Sequence, residues 1–399
     1  LEFFSFIIAP FTLAHERTED MAKESRAYRS LFSLGWIFGL LGALVWLQPD
    51  SWPVQVHSEI FVGGFLLSCC AGFLLTAIPT MTQAPSPSSL SIAAIGSFLL
   101  LGVIASLNKR SDVSYLFYIL ATLTLIVTLG YCFQRRRFDP PPLFAFVALG
   151  LLSGLAGQFL TLLSVLQIIN SSWLSLGKSL FFEMMILSLV VGIGARIIPV
   201  LLGWKAKVMN PEDRMVRSPV FVFLKRLHWH LVLSAFALLA TFLVEFLYSP
   251  AWGHATRAIL VGSLAFGPWK LFMLPKLLNY HRFFLWLSCW FLIAGLIGRA
   301  VSAHYQLHWQ HVFFIGCFGL MTVMVAFHVF LEHEGWDRNR KSSPILLGAG
   351  LLFVLAIVAR LFILIQPAHY ILSLRLSAAA LAVGLVLWAA ALFPIPKRS

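Results

Sequence analysis

Twelve apolar runs, each about long enough to cross a lipid bilayer, limit what this chain can fold into. They fall near 31–47, 57–79, 90–107, 113–133, 142–169, 173–202, 228–248, 251–278, 283–302, 308–331, 344–366 and 369–393. A bilayer-spanning helix takes about 20 mostly apolar residues. The runs therefore predict an all-α, polytopic integral membrane protein of about twelve transmembrane helices, with the lipid bilayer as its solvent. Only 11% of the residues are charged, against roughly a quarter in soluble domains. A soluble enzyme, a disordered chain and a DNA-binding domain are excluded on that balance. Breaker chemistry separates the runs, as in Ala84-Pro85-Ser86-Pro87 and Asp139-Pro140-Pro141-Pro142.

The net charge of +13 is a topology signal and not a nucleic-acid footprint. With the N-terminus in the cytoplasm, the inner segments hold most of the Lys and Arg residues, including Arg135, Arg136 and Arg137, and Lys205, Lys207, Arg214 and Arg217. The outer connections near 48–56, 168–172 and 303–307 hold none. The positive-inside rule then places both termini in the cytoplasm. The expected organisation is a cytoplasmic segment 1–30, a six-helix set 31–202, a basic linker 203–227, a second six-helix set 228–393 and a tail 394–399. No matching motifs relate the two sets. Polar residues 15–30 precede the first apolar run, so no cleavable leader is read. Gly35/Gly39 and Gly150/Gly154 have the spacing of close helix contacts.

Ionisable side chains within apolar spans call for a reason. Cys69, Cys70, Cys132, Cys289 and Cys317 all lie in apolar runs and read as buried thiols, not as a zinc or disulfide framework. The histidines divide between the two membrane faces. His57, His254, His304, His308, His311 and His369 fall near the outer face; His15, His228, His230, His281, His328 and His333 fall near the inner one. On a helix that begins by residue 304, His304, His308 and His311 share about 60° of surface, a stripe able to hold a haem or a copper ion. His328 and Glu332, four apart with His333 adjacent, form a second ligand pair, a proton path or merely a polar helix end.

Glu183 lies deepest of the ionisable groups, in the sixth run. Arg196 is thirteen residues further on, too far along the same helix to pair with it. Each needs a partner on another helix, a haem propionate, water or a route to the surface; Arg299 and Arg360 pose the same question. Walker-type phosphate loops, Gly-x-Ser-x-Gly and His-Glu-x-x-His are absent, so no catalysed reaction is signalled. A His-Pro-Glu block and an adjacent His-His pair are also absent, which argues against a haem-copper oxidase catalytic subunit.

At several of these residues the chain resembles the NnrS family. His57-Ser58-Glu59-Ile60-Phe61-Val62-Gly63 and Gly72-Phe73-Leu74-Leu75-Thr76-Ala77-Ile78-Pro79 are similar to its second span. Gly194-Ala195-Arg196-Ile197-Ile198-Pro199 is similar to the end of its sixth span. His311, Gly316, Gly319, Met321, His333 and Gly335 match its tenth span in order and spacing. The resemblance implies a multi-pass protein of the bacterial inner membrane that contains haem and copper and acts in denitrification and relief of nitric-oxide stress. Carried over, His57, Arg196, His311 and His333 are the expected cofactor residues, with His308 and His328 as further ligand candidates. The chain departs from the family at Val56-His57-Ser58-Glu59, where Trp-His-Ala-His-Glu is usual. Phe327-His328 stands where the family has Thr-Arg, and the ninth span lacks a His-x-Gly motif around Leu287-Ser288-Cys289-Trp290. Two alternatives stay open: a twelve-helix transporter working through Glu183, Arg196 and Arg360, and a non-catalytic subunit of a respiratory assembly, with membrane-protein partners, that has lost its cofactor.

Overall fold

The computed structural model describes residues 27–48, 52–204, 218, 229–276, 279–335 and 338–392. The expected cytoplasmic segment, most of the basic linker and the tail, with His15 and His228, lie outside the described residues. Twelve principal helices and no strands occur among those described: α1 Ala27–Leu44, α2 Val54–Thr82, α3 Ser89–Leu107, α4 Ser111–Gln134, α5 Phe144–Val165, α6 Ser172–Leu201, α7 Trp229–Leu247, α8 Pro250–Phe266, α9 Tyr280–Val301, α10 Gln306–His333, α11 Pro344–Phe362 and α12 Tyr370–Leu392.

Among the described residues, eleven of these helices are long and apolar enough to cross a membrane; α8 is the exception. The sequence expectation of a span over 251–278 overran. Pro250 opens α8 at its first turn, and Gly267-Pro268 ends it after 17 residues, because proline cannot continue the hydrogen-bond ladder. Elsewhere the helix starts follow local chemistry. Ser88, Asn279 and Ser343 each accept a backbone N–H three residues on, capping α3, α9 and α11.

Helix packing repeats in steps of four. In each group, the first helix meets the second through glycines. A Cβ on Gly35 of α1 would approach Cys69 Sγ of α2 to 2.8 Å; on Gly154 of α5, Met185 Sδ of α6 to 2.4 Å; on Gly298 of α9, the Trp309 ring of α10 to 2.0 Å. The third and fourth helices pair with each other: α3 with α4, α7 with α8, and α11 with α12. The groups join where α4 meets α5, α8 meets α9, and α12 meets α1. This last contact closes a ring, and Trp36 Nε1 of α1 donates to Leu385 O of α12 at 2.9 Å.

The long second helices, α2, α6 and α10, are the most buried spans. Each contains a π-helical stretch: Glu59–Leu66, Ser179–Met184 and Val312–Gly319. π-Helical turns widen the backbone and recur at functional sites. Ile-Pro closes both α2 and α6, as Ile78-Pro79 and Ile198-Pro199, and the π stretches begin the same number of residues before each. The three central helices surround an apolar cavity of about 100 Å³, lined by Cys70, Leu74, Ile193, Phe318 and Met321 among others.

Candidate functional site

The wide turns at the start of the π stretches carry polar side chains into three clefts at one end of the bundle, the end marked by His57. Successive side chains on a helix are turned about 100° from one another, so residues one, two or five positions apart can face different neighbours. Each central helix can therefore serve two neighbouring clefts. On α10, Gln310 serves one and His311 the next; on α6, Lys178 and Glu183 divide in the same way; on α2, His57 and Glu59 do so.

The first cleft lies among α2, α3, α4 and α6. Glu59, 1% exposed, accepts from Ser106 Oγ at 2.9 Å, and its backbone carbonyl accepts from Tyr118 OH at 3.1 Å. Ser106 and Ser114 hydroxyls are 2.6 Å apart. Lys178 of α6 lies within electrostatic reach of Glu59.

The second cleft holds a buried charge network. Arg299 Nη1 of α9 donates to Glu183 Oε2 at 2.6 Å, Gln310 Nε2 of α10 donates to Oε1 at 2.9 Å, and Arg257 Nη1 of α8 lies 3.5 Å from Oε2. Arg257 also donates to Glu245 Oε2 of α7 at 2.6 Å, meets His254 Nδ1 at 3.2 Å, and lies over the Phe242 ring at 3.4 Å. Glu183 thus finds its partners on other helices, as its depth required. Glu245 and Arg257 went unremarked in the sequence, although the rule that singled out Glu183 applies equally to them. A cavity of about 250 Å³, lined by Ser175, Ser179, Phe242, Glu245, Phe246 and Tyr248, opens onto this network.

The third cleft, among α1, α2, α10 and α11, gathers His57, His308, His311 and Arg360. His57 Nδ1 lies 2.7 Å from Gly42 O, and His311 Nδ1 lies 2.7 Å from Leu307 O. A carbonyl oxygen only accepts, so Nδ1 carries the proton in both neutral rings and each Nε2 is left as a bare lone pair. That carbonyl bond is the outer support metal-bound imidazoles use. His57 packs between Trp46 and Phe61. His308 Nδ1 is buried and makes no hydrogen bond. Arg360 is 3% exposed and acts electrostatically on all three histidines. No carboxylate pairs with it among the described residues, and its Nε is buried without a partner.

The other expected site residues lie elsewhere. His304 is exposed in a 3-10 turn, Ala303–Tyr305, ahead of α10. It therefore does not share the helical stripe of His308 and His311, because the helix starts at Gln306. His333 stacks on Tyr28 at the opposite end of α10, at 4.9 Å between ring centroids, roughly 33 Å along the helix from His311. Beside it, Glu334 bonds Tyr28 and Arg29. His328 also belongs to that far end. Arg196 is exposed, in the half of α6 remote from Glu183. Glu183, Arg196 and Arg360 thus do not line one common cavity. Among the described residues, no group of three or more His, Cys, Asp or Glu side chains is gathered to hold a metal ion.

The fold defines a class, a polytopic helical membrane protein, and its third cleft brings histidines of α2 and α10 near a buried arginine of α11. Residues 24–398 match the family described as NnrS protein, so the chain belongs to the NnrS family. None of the curated proteins is significantly similar to it.

Proposed function

We propose that this chain binds haem in the cleft between His57 and His311 and acts in nitric oxide handling, relieving nitrosative stress linked to denitrification. The observation that carries this reading is that two imidazoles with bare Nε2 atoms lie within electrostatic reach of each other and of a buried arginine without a carboxylate. Haem offers an iron for the imidazoles and propionates for the guanidinium, so the residues present fit the group. When bound, haem supplies an iron centre able to exchange electrons and to bind small diatomic gases. The protein's own part is to fix each ring by its Nδ1–H bond, to exclude water with Trp46 and Phe61, and to neutralise a propionate through Arg360. Copper, which the family resemblance also implies, belongs to the same reading. So does location in the bacterial inner membrane with both termini cytoplasmic and α8 as a twelfth span.

The test is the absorption spectrum of the purified protein, oxidised and reduced, with iron and copper quantified in the same sample. A Soret band with stoichiometric iron is expected, and Arg360→Gln lowers haem retention during purification without abolishing the band. A colourless, iron-free protein from haem-replete cells overturns the reading.

A second reading, transport, draws on the cavity beside Glu245 and the charge network behind it. Arg196 and Arg360 stand outside that network, which leaves Glu183 as the sole member of the expected transport set there.

A further inference from the structure

The second cleft opens into a cavity whose lining the haem reading does not use. Ser175 and Ser179 stand one turn apart on α6, and Phe242, Glu245 and Phe246 share one face of α7; with Leu176, Tyr248 and Pro250 they line about 250 Å³. Of the four charged groups in the buried network, Glu245 is the one that reaches this space. Its side chain is 15% exposed, against 0% for Arg257, 3% for Glu183 and 6% for Arg299. Arg257 Nη2 holds Glu245 Oε2 at 2.6 Å, whereas Oε1 stands 4.0 Å from Arg299 Nη2, beyond hydrogen-bond range. Oε1 is thus the acceptor left for a ligand. The two arginines balance the two glutamates, and the carboxylate at the cavity end turns the negative pole of that balanced network towards the opening. Lys and Arg are absent from the lining among the described residues.

We propose that this cavity binds a small organic ammonium ion, an amine with an apolar body, through Glu245. An ammonium head carries N–H donors and no acceptor. That matches a carboxylate oxygen in a cavity that also presents the hydroxyls of Ser175, Ser179 and Tyr248. The rings of Phe246 and Tyr248 supply the aromatic walls that ammonium ligands favour, and Trp173 backs Phe246 at 5.3 Å between centroids. Phe242 already carries the Arg257 guanidinium on its ring and serves as apolar wall. Size sets the class further. An apolar cavity of about 150 Å³ takes benzene, so this one has room for a benzene-sized body with a short aminoalkyl arm. An anion fits poorly, because both arginines lie behind the carboxylate and it would meet Glu245 first. The proposal goes beyond the haem reading. It supplies a ligand class for the cavity on which the transport reading draws, and it asks only for binding.

The test is titration calorimetry on the full-length protein in detergent, with benzylammonium, benzyl alcohol and benzoate as probes of one shape and three charges. Methylammonium and phenethylammonium extend the range of size. We expect saturable binding of an ammonium probe at one site per chain, weaker binding of the alcohol and none of benzoate. Glu245→Gln weakens ammonium binding about tenfold or more, the loss expected for a hydrogen bond to a charged group. Because that change also disturbs the partner of Arg257, Ser179→Trp is the second variant. It fills the cavity, touches no ion pair, abolishes ammonium binding and leaves the absorption spectrum of the protein as it is in the wild type. Ammonium binding unaltered in Ser179→Trp lies elsewhere, in the micelle or at another site, and overturns the proposal. So does the absence of saturable binding for all three ammonium probes. Benzyl alcohol binding as tightly as benzylammonium overturns the cationic assignment. Saturable ammonium binding without uptake into vesicles supports the proposal and tells against the transport reading alone.

Discussion

Replacing both His57 and His311 with alanine is expected to remove the Soret band that the haem reading predicts for the purified protein. Either single replacement is expected to leave a band that is weakened and shifted, since one candidate imidazole remains. The expectation follows from the tautomers: Gly42 O and Leu307 O hold the two ring protons and leave both Nε2 atoms free. The control is His333→Ala. His333 is stacked on Tyr28 far along α10 and leaves the band in place. An unchanged spectrum in the double variant rules out these two ligands, whatever the protein's cofactor content.

The largest effect on stability is expected at Glu183. In Glu183→Ala, Arg299 loses its 2.6 Å partner, and the two arginines are left to share Glu245 as their one carboxylate. Removing one member of a buried ion pair typically costs about 3–5 kcal/mol, because the remaining charge stays buried and unpaired. The variant should unfold at markedly lower temperature in detergent, or fail to accumulate in the membrane. Glu183→Leu combined with Arg299→Met removes both charges and should recover much of the loss. A Glu183→Ala protein as heat-stable as the wild type means that water reaches the network and screens it.

How much of this was legible in the sequence depends on the kind of signal. The apolar runs gave the helices and their order because a bilayer imposes a length. Arg360 stands out because an ionisable group in an apolar span is costly, whereas His57 and His311 stand out through the NnrS resemblance and their place at the outer face. That three of them converge was not legible, since α2, α10 and α11 meet only in the folded bundle. The 251–278 run was read too long because Trp269, Leu271 and Phe272 extend its apolar character past Gly267-Pro268. The π stretches were invisible: Ile60-Phe61-Val62 reads the same in an α-helical or a π-helical backbone. The grouping in fours was hidden because its common elements are glycine contacts and π turns rather than repeated motifs, apart from the shared Ile-Pro.

The closing contact of the ring has a consequence for biogenesis. The third cleft is walled by α1 and α2 on one side and by α10 and α11 on the other, so its two halves are made at opposite ends of synthesis. At about 5–20 residues per second, roughly 10–50 s separate the emergence of His57 from that of His311. During that interval His57 has no opposing imidazole and Arg360 does not yet exist. On the proposed haem reading, delivery is therefore expected after translation, once α10 and α11 have joined α1 and α2. On the same reading, a haem-starved cell is expected to accumulate a bundle closed around a buried guanidinium with no carboxylate beside it, and that form should be the less stable of the two.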